Sequence, residues 1–453
     1  VRVYAFDDNG STPDYCEVVV EVQDNMGWCE DESTGDIAGV ILTEEMEPVE
    51  HVIVELTGPE DLQATMTTTA DGTLRFNNLE LGGDYTVAPS HFTDYLNGVR
   101  TSDIVAATRH ILGVDLLETP YLRIAADANG DQSIDVGDIL TIRSLILGLT
   151  DEFPNGVGSW AFVPVDYEFP QPDNPWVEAF PEVSNFNDMQ GNIIDADFVG
   201  IKIGDLNRSA VANSLTGRAP RSFRGDLELE LDEVEMIEGE TYTVPVTSAN
   251  LTEVDGYQFT LEFDQTAVEI EGIEPGLVTA ANFGWRFASQ GLITTSWSWT
   301  GADVPAEWTG EEVLFSLVVR AEANGLLSKA IDAGNRFTEA EAYERNSTEL
   351  RNLTFIFNEE ILEVAGYRLL QNIPNPVRQE TVIGFELPEA HAEVVIAITD
   401  AAGRLVREVT QEGTIGYNSI TLTKRELGGA SGVYSYTVTA GDWVATKRMV
   451  IME

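Results

Sequence analysis

Basic residues are scarce in this 453-residue chain. It has 25 Lys and Arg against 77 Asp and Glu, a formal net charge of −52, and only four of the basic residues are lysines. A polyanion of this strength repels phosphate backbones and anionic headgroups, which argues against nucleic acid or an anionic membrane as partner. Cysteine is almost absent. Cys16 and Cys29 are too few for a disulfide scaffold and lack metal-ligand spacing. They could pair with each other, or Cys16 could pair with a residue upstream. Histidine is as sparse: His51, His91, His110 and His391 are scattered, leaving histidine triads and zinc sites without partners. No run of about 18 apolar residues is present, so no membrane insertion by a helix is expected. Gly-x-Ser-x-Gly elbows, phosphate loops and dinucleotide fingerprints are missing, and nothing singles out a hydrolytic pair among the many carboxylates. The expectation is a non-enzyme with no catalytic residue.

What is present reads as globular and modular. Hydrophobic residues make up 43% of the chain, too many for a disordered polyanion, and the length suits about three to five domains. Val1 opens inside a strand-like run without an initiator Met or signal peptide, so a fragment of a longer chain is expected. The most informative motif is the twelve-residue run from Asp127 to Asp138. Asp127, Asn129, Asp131, Asp135 and Asp138 place side-chain oxygens at loop positions 1, 3, 5, 9 and 12, and Ser133 offers its backbone carbonyl at position 7. A hard cation with six to eight oxygen ligands is caged this way, and Ca2+ tolerates the irregular geometry. The competing reading is a solvated acidic turn. Bound divalent ions would also relieve the self-repulsion of so acidic a chain.

Along the chain, residues 1–28 alternate as two strands around Asp8-Asn9-Gly10-Ser11 and resemble the last hairpin of a hyalin-repeat, immunoglobulin-like module. Residues 36–91 give short strands split by Thr57-Gly-Pro59, Asp71-Gly72 and Gly82-Gly-Asp84, the spacing of a β-sandwich; the segment resembles the prealbumin-like module of cell-surface stalks. Residues 92–210 carry two helical stretches, Asp103-Ile104…Ile111-Leu-Gly113 and Asp138-Ile139…Ile146-Leu-Gly148, related by a 35-residue offset. This duplicated loop-plus-helix is similar to a dockerin domain. Gln132 stands at position 6, where glycine usually eases the turn. The first copy is degraded, with Phe92 and Leu96 at positions 1 and 5, and no tight calcium site is expected there. A third partial echo runs from Asn192 to Asn207, where Asp205 and Asn207 form a weak loop start. Between the second and third lies an insertion with Trp160, Phe162, Tyr167, Phe169, Trp176 and Phe180. Those rings could form a sugar platform, but an ordered loop packed over the helices is the expectation.

Residues 211–224 read as a linker. Residues 225–358 return to alternation, and Glu238-Gly-Glu240, Val244-Pro-Val246 and the run Gly256–Phe263 resemble the opening of a cohesin-type jelly roll. Carbohydrate-binding modules share that fold. Trp297 and Trp299 share one strand face by period two, either as a sugar platform or as core. Residues 366–453, with Asn372-Ile-Pro-Asn-Pro376, Asp400-Ala-Ala-Gly-Arg404, Gly432-Val-Tyr434 and Lys447-Arg-Met-Val450, resemble a type A C-terminal sorting domain of type IX secretion, read physically as a seven-strand sandwich.

The fold class expected is therefore mainly β: tandem immunoglobulin-like and jelly-roll sandwiches with one small α-helical calcium-loop module. The resemblances imply a secreted, non-catalytic protein on the outer surface of a Gram-negative bacterium. They imply the type IX secretion machinery as partner, and Ca2+ as cofactor at Asp127, Asn129, Asp131, Ser133, Asp135 and Asp138. Cohesin-like and dockerin-like modules in one chain could dock within a molecule or between molecules, and an open head-to-tail contact would give a filament. The short linker favours docking within the molecule. An alternative is a carbohydrate-binding accessory and sorting region of a larger secreted hydrolase, with a glycan as partner.

Overall fold

Apolar and polar residues alternate at period two over most of the chain, and these stretches pair into sheets. The computed structural model describes residues 2–5, 14–17, 33–215, 223–299, 308–358, 367–401, 403–441 and 443–452. They fall into two units, Val1–Ile356 and Phe357–Glu453. Strands dominate both, and three α-helices lie in the first. At the start, Arg2–Ala5 pairs antiparallel with Asp14–Glu17, setting Val3 opposite Cys16. The rest of the expected hyalin-like tail, Cys29 and any cysteine pairing lie outside the described residues.

A small sandwich follows. One sheet is ordered Thr73–Glu80, Thr34–Leu42, Phe198–Lys202, Trp160–Pro164; the other Leu62–Thr67, Ile53–Gly58, Tyr85–Ser90, Ser184–Phe186. Val54 and Leu56 point inward while Ile53, Glu55 and Thr57 face outward, as the alternation predicts. The sheets cross the expected boundary at residue 91. Three of the eight strands come from 160–202, and Phe198–Lys202 pairs parallel with Thr34–Leu42 and antiparallel with Trp160–Pro164. Part of the aromatic insertion is therefore sheet: Trp160 and Phe162 are buried in the sandwich core, while Tyr167, Phe169 and Phe180 pack onto the helices. The third echo likewise holds a strand, Phe198–Lys202. Gly39 shows how tightly the segment leading into that strand docks, because a Cβ there would lie 2.1 Å from the Ala196 carbonyl oxygen. Residues 211–215, expected as linker, are tied down instead. The Val211 N–H donates to Asn97 Oδ1 at 2.9 Å, and Asn213 Nδ2 donates to the Pro48 carbonyl at 2.8 Å.

The helices are α1 (Thr101–Ile111), α2 (Pro120–Ala126) and α3 (Val136–Ile146). Each has a legible start. Asp103 accepts from the Arg100 N–H, Thr119 Oγ1 accepts from Leu122 N–H ahead of Pro120, and Asp135 accepts from Gly137 N–H. Gly113 and Gly148, at φ +68° and +65°, end α1 and α3 as the sequence predicts.

The second sandwich is built from one ten-stranded hydrogen-bonded sheet, whose path runs from Val268–Pro275 at one end to Phe283–Gly284 at the other. Phe283 meets Phe315, from the strand next to the opposite end, at a ring separation of 5.0 Å, so the path folds face to face. Its strand Phe223–Asp232 begins inside the segment expected as linker.

The second unit is a seven-strand sandwich. Arg368–Leu369, Glu380–Leu387 and Gly416–Thr423 face Leu405–Gly413, His391–Asp400, Gly432–Ala440 and Trp443–Ile451 across a common core. Its Asn-Ile-Pro-Asn-Pro motif ties the two sheets together. Asn372, 1% exposed, donates its N–H to the Tyr436 hydroxyl and its Nδ2 to Thr381 Oγ1.

Phe198→Ala checks the completed first sandwich. Phe198 is fully buried between the Trp160–Pro164 and Thr34–Leu42 strands. A loss of about 3–5 kcal/mol is expected in denaturant unfolding, whereas a surface insertion would cost about 0.5 kcal/mol or less.

Candidate functional site: an acidic loop and a covered sheet face

The loop that joins α2 to α3 closes on its own carboxylates. Asp127 accepts from the N–H groups of Asp131 and Gln132 at 3.0 and 2.8 Å. Asn129 Oδ1 accepts from Asp131 N–H at 2.9 Å, and Asp131 accepts from Ser133 N–H at 3.0 Å. Asp138, in the first turn of α3, accepts from Asn129 and Asp135 N–H at 3.2 and 2.9 Å. Asp127, Asn129, Asp131 and Asp138 thus share one hydrogen-bonded turn. Ser133 enters it only through its N–H, and Asp135 is spent capping α3. Gln132 reaches the turn at φ +68°, a conformation that favours glycine.

Asp127 and Asp138 are buried while Asp131 and Asp135 are exposed. Burial pushes the Asp138 carboxyl up to about 6 against two amide hydrogen bonds, with Asp127 and Asp131 adding repulsion. Burial likewise raises Asp127. Their ionised forms are held at a cost that a cation would relieve. The donors are oxygens, the chemistry Ca2+ takes. Among the described residues, however, no three His, Cys, Asp or Glu side chains converge on one point as a metal site.

A second loop repeats this pattern from elsewhere in the chain. Asp205 accepts from N–H groups four and five residues on, Ser209 and Ala210, as Asp127 does from Asp131 and Gln132. Asp103 accepts from Arg100 three residues back, as Asp138 does from Asp135, and also from Leu206 N–H at 2.8 Å. The loop facing α1 is therefore supplied by residues 205–210, about a hundred positions downstream of the degraded copy. The acidic-x-Asn start at Asp205 was the available signal; its pairing with Asp103 has none in the sequence. Burial raises both carboxyls, and at Asp103 the neighbouring Asp205 adds to it. Nearby, Lys202 is buried with its ammonium donating to the Tyr95 and Ile203 carbonyls, and burial lowers it to about 8.

The other outstanding feature is a sheet face without exposure. Leu292–Ser298 is buried at every position and pairs with Val254–Phe263. Tyr257, Phe259, Trp297 and Trp299 lie on one face, with ring separations of 5.2 Å (Tyr257–Trp297) and 4.6 Å (Trp297–Trp299). Trp297 and Trp299 are only 5% and 6% exposed, so they are core and offer no sugar platform. The opposite face carries Gln258, Thr260, Thr294, Ser296, Ser298 and Glu341, hydroxyls and amides of the kind normally left to water. Here α1 and α3 cover it. Thr101 N–H donates to Gln258 Oε1 at 2.8 Å and Thr101 Oγ1 meets Ser296 Oγ at 2.7 Å. Thr294 Oγ1 donates to the Leu147 carbonyl at 2.7 Å, and Arg143 donates to Ser298 Oγ at 3.1 Å. Arg100 pairs with Glu341 at 3.0 Å and Arg109 with Asp255 at 2.6 Å. Gly148 is required where α3 ends: besides its φ, a Cβ would lie 2.6 Å from the Phe287 ring.

Residues 227–297 match the cohesin domain model. Residues 372–452 match the secretion system C-terminal sorting domain. No curated protein matches the chain. Similar solved structures include a type I cohesin–dockerin complex from Clostridium thermocellum, at 15% identity over 30% of this chain and 94% of that one, TM-score 0.21. Another is the sixth cohesin of scaffoldin B from Acetivibrio cellulolyticus with a dockerin, at 18% identity over 30% and 100%, TM-score 0.22. The Bacillus anthracis TIE protein aligns over 92% of this chain and 48% of its own length, at 10% identity and TM-score 0.20. At these scores the structures add nothing to the two domain matches. Both matched modules are non-catalytic, and the sorting domain implies export by the type IX machinery to the outside of the cell or its surface. Gln258, Thr260, Thr294 and Ser296 of the covered face lie within the cohesin match, which ends in the strand Leu292–Ser298.

Asp138→Asn separates cost from benefit at the acidic loop. A carboxyl raised from 3.8 to about 6 in the folded state makes stability fall as pH rises between those values, and the penalty persists at neutral pH. In chelator, the variant is expected to melt a few degrees higher than the parent at pH 7.5. At pH 4 the two are expected to be nearly equal, and equal melting at both pH values would contradict the assignment.

Proposed function

We propose that this is a secreted, non-catalytic structural or adhesive protein of the cell surface, whose helices dock in cis on its own cohesin domain and whose α2–α3 loop is rigidified by calcium. One observation carries the reading: a Ser/Thr-lined cohesin face is covered by a helix pair of the same chain. A face of that composition stays soluble when bare and specific when covered, because its hydroxyls must find partners once water is expelled. The helix pair supplies them at Thr101, Arg143 and Leu147.

With the seat filled from within, the favoured product is a closed single chain rather than a filament. A short tether keeps the effective concentration of the chain's own helices well above that of a second molecule. Asp127, Asn129, Asp131 and Asp138 would hold the ion, with the Ser133 carbonyl and Asp135 completing the set. Bound calcium would supply positive charge to a turn that otherwise assembles carboxylates against their repulsion. The loop leads straight into α3, so ordering it fixes the helix that meets Thr294 and Ser298. The sorting domain then serves as the export address read by the secretion machinery.

The test is thermal unfolding of the full chain with calcium and with chelator, alongside metal content. Calcium at about a hundred times its dissociation constant is expected to add about 2.7 kcal/mol. Asp127→Ala with Asp131→Ala is expected to melt lower than the parent in calcium and to ignore chelator. Identical melting of the parent with and without chelator would defeat the calcium reading.

A further inference from the structure

A buried carboxylate is costly to leave without its partner, and the covered cohesin face holds one. The Glu341 side chain is 1% exposed and faces Arg100, itself 11% exposed, at 3.0 Å. Glu341 also accepts from the Tyr343 hydroxyl at 2.8 Å, and Arg100 reaches Glu339 at 3.1 Å. Along the same face Arg109 of α1 meets Asp255 at 2.6 Å. At both of these pairs the helix brings the arginine and the sheet brings the carboxylate, whereas beyond the end of α3 the sense is reversed, with Arg286 of the sandwich pairing with Asp151 at 2.7 Å. The contacts of Ser296 to a hydroxyl and of Thr294 to a backbone carbonyl are indifferent to the sign of charge, so they confer fit without discrimination. In a chain with three acids for every base, most other helices or strands that could approach this face would bring like charge.

Resting on the cis-docked reading above, we propose that the cohesin face is a charge-keyed seat. Glu341, with Glu339 and Asp255, selects its occupant by arginines at the start and the last turn of a helix, here Arg100 and Arg109. The occupant that fits is an arginine-bearing helix pair, and an acidic helix is refused. Glu341 is the specificity-determining residue because it is the one carboxylate of the three without water to screen it. Asp255 shares its charge with Arg345 at 3.4 Å, and Glu339 is partly exposed.

The test uses the full chain carrying Thr101→Cys and Ser296→Cys, whose native hydroxyls are 2.7 Å apart. Mild oxidation is expected to link positions 101 and 296, read by peptide mass. Adding Arg100→Glu is expected to lower the yield by about tenfold or more at low salt, and adding Glu341→Arg as well to restore it to within about threefold. The uncharged pair Arg100→Gln with Glu341→Gln is expected to link at nearly the parental yield, since neither charge is left alone. A yield unchanged by Arg100→Glu overturns the keying. So does loss of linkage in both the reversed and the uncharged pairs while circular dichroism shows folded chains. Absence of a 101–296 link in the parent would instead overturn the docked reading on which the keying rests.

Discussion

The arrangement of the first unit depends on one contact: a sheet face of hydroxyls, an amide and a carboxylate, sealed from water by two helices. Polar atoms in such a place must be partnered, and each partner fixes a position. Thr101 is held at Gln258 and Ser296, Arg143 at Ser298, and the end of α3 at Thr294. Apolar packing alone would allow the helices to slide, whereas these pairs define a register. The tryptophans that strengthen the sandwich lie on the other face of the same strand, so core and contact are separated by the strand's twofold alternation.

The acidic composition gives this contact its consequences. Charge repulsion opposes compaction throughout the chain, yet Arg100, Arg109 and Arg143 all lie where the helices meet the cohesin domain. The turns that lead into α1 and α3 run the other way, gathering Asp103 with Asp205 and Asp127 with Asp138 in buried settings that raise all four carboxyls. The two turns share a hydrogen-bonding scheme although one is continuous in sequence and the other is assembled from distant segments. Under the proposed reading, cation binding at the continuous turn would be coupled to docking of its helix through α3, which begins at one and ends at the other. The sorting domain stands apart in charge as well as sequence, with eight Lys and Arg against ten Asp and Glu in residues 366–453.

Much of this was legible in the residues. Alternation and turn signals located most strands, and the 35-residue repeat located α1 and α3 with their terminal glycines. The acidic-x-Asn spacing located the turn at Asp127. What could not be read depends on distance along the chain. Strands Trp160–Pro164 and Phe198–Lys202 were obscured because an aromatic insertion and a helix-like echo look the same whether they cover a core or complete it. Asp205 lies beside Asp103 only because the sheet carrying Phe198–Lys202 delivers it there. The Thr294-Ser296-Ser298 face was visible as alternation with Trp297 and Trp299, but nothing local reveals that a polar face will be covered. The tryptophans had two equal readings until burial decided between them.

Carbodiimide footprinting of the intact protein measures the central contact most directly, because it reports the water accessibility of single carboxylates. With the helices seated, Glu341 should label at least about tenfold more slowly than the exposed Glu238, in keeping with a side chain opened only by local unfolding. Labelling of Glu341 at the rate of Glu238, in protein that remains folded, would mean that the cohesin face is open to solvent and that the account is wrong.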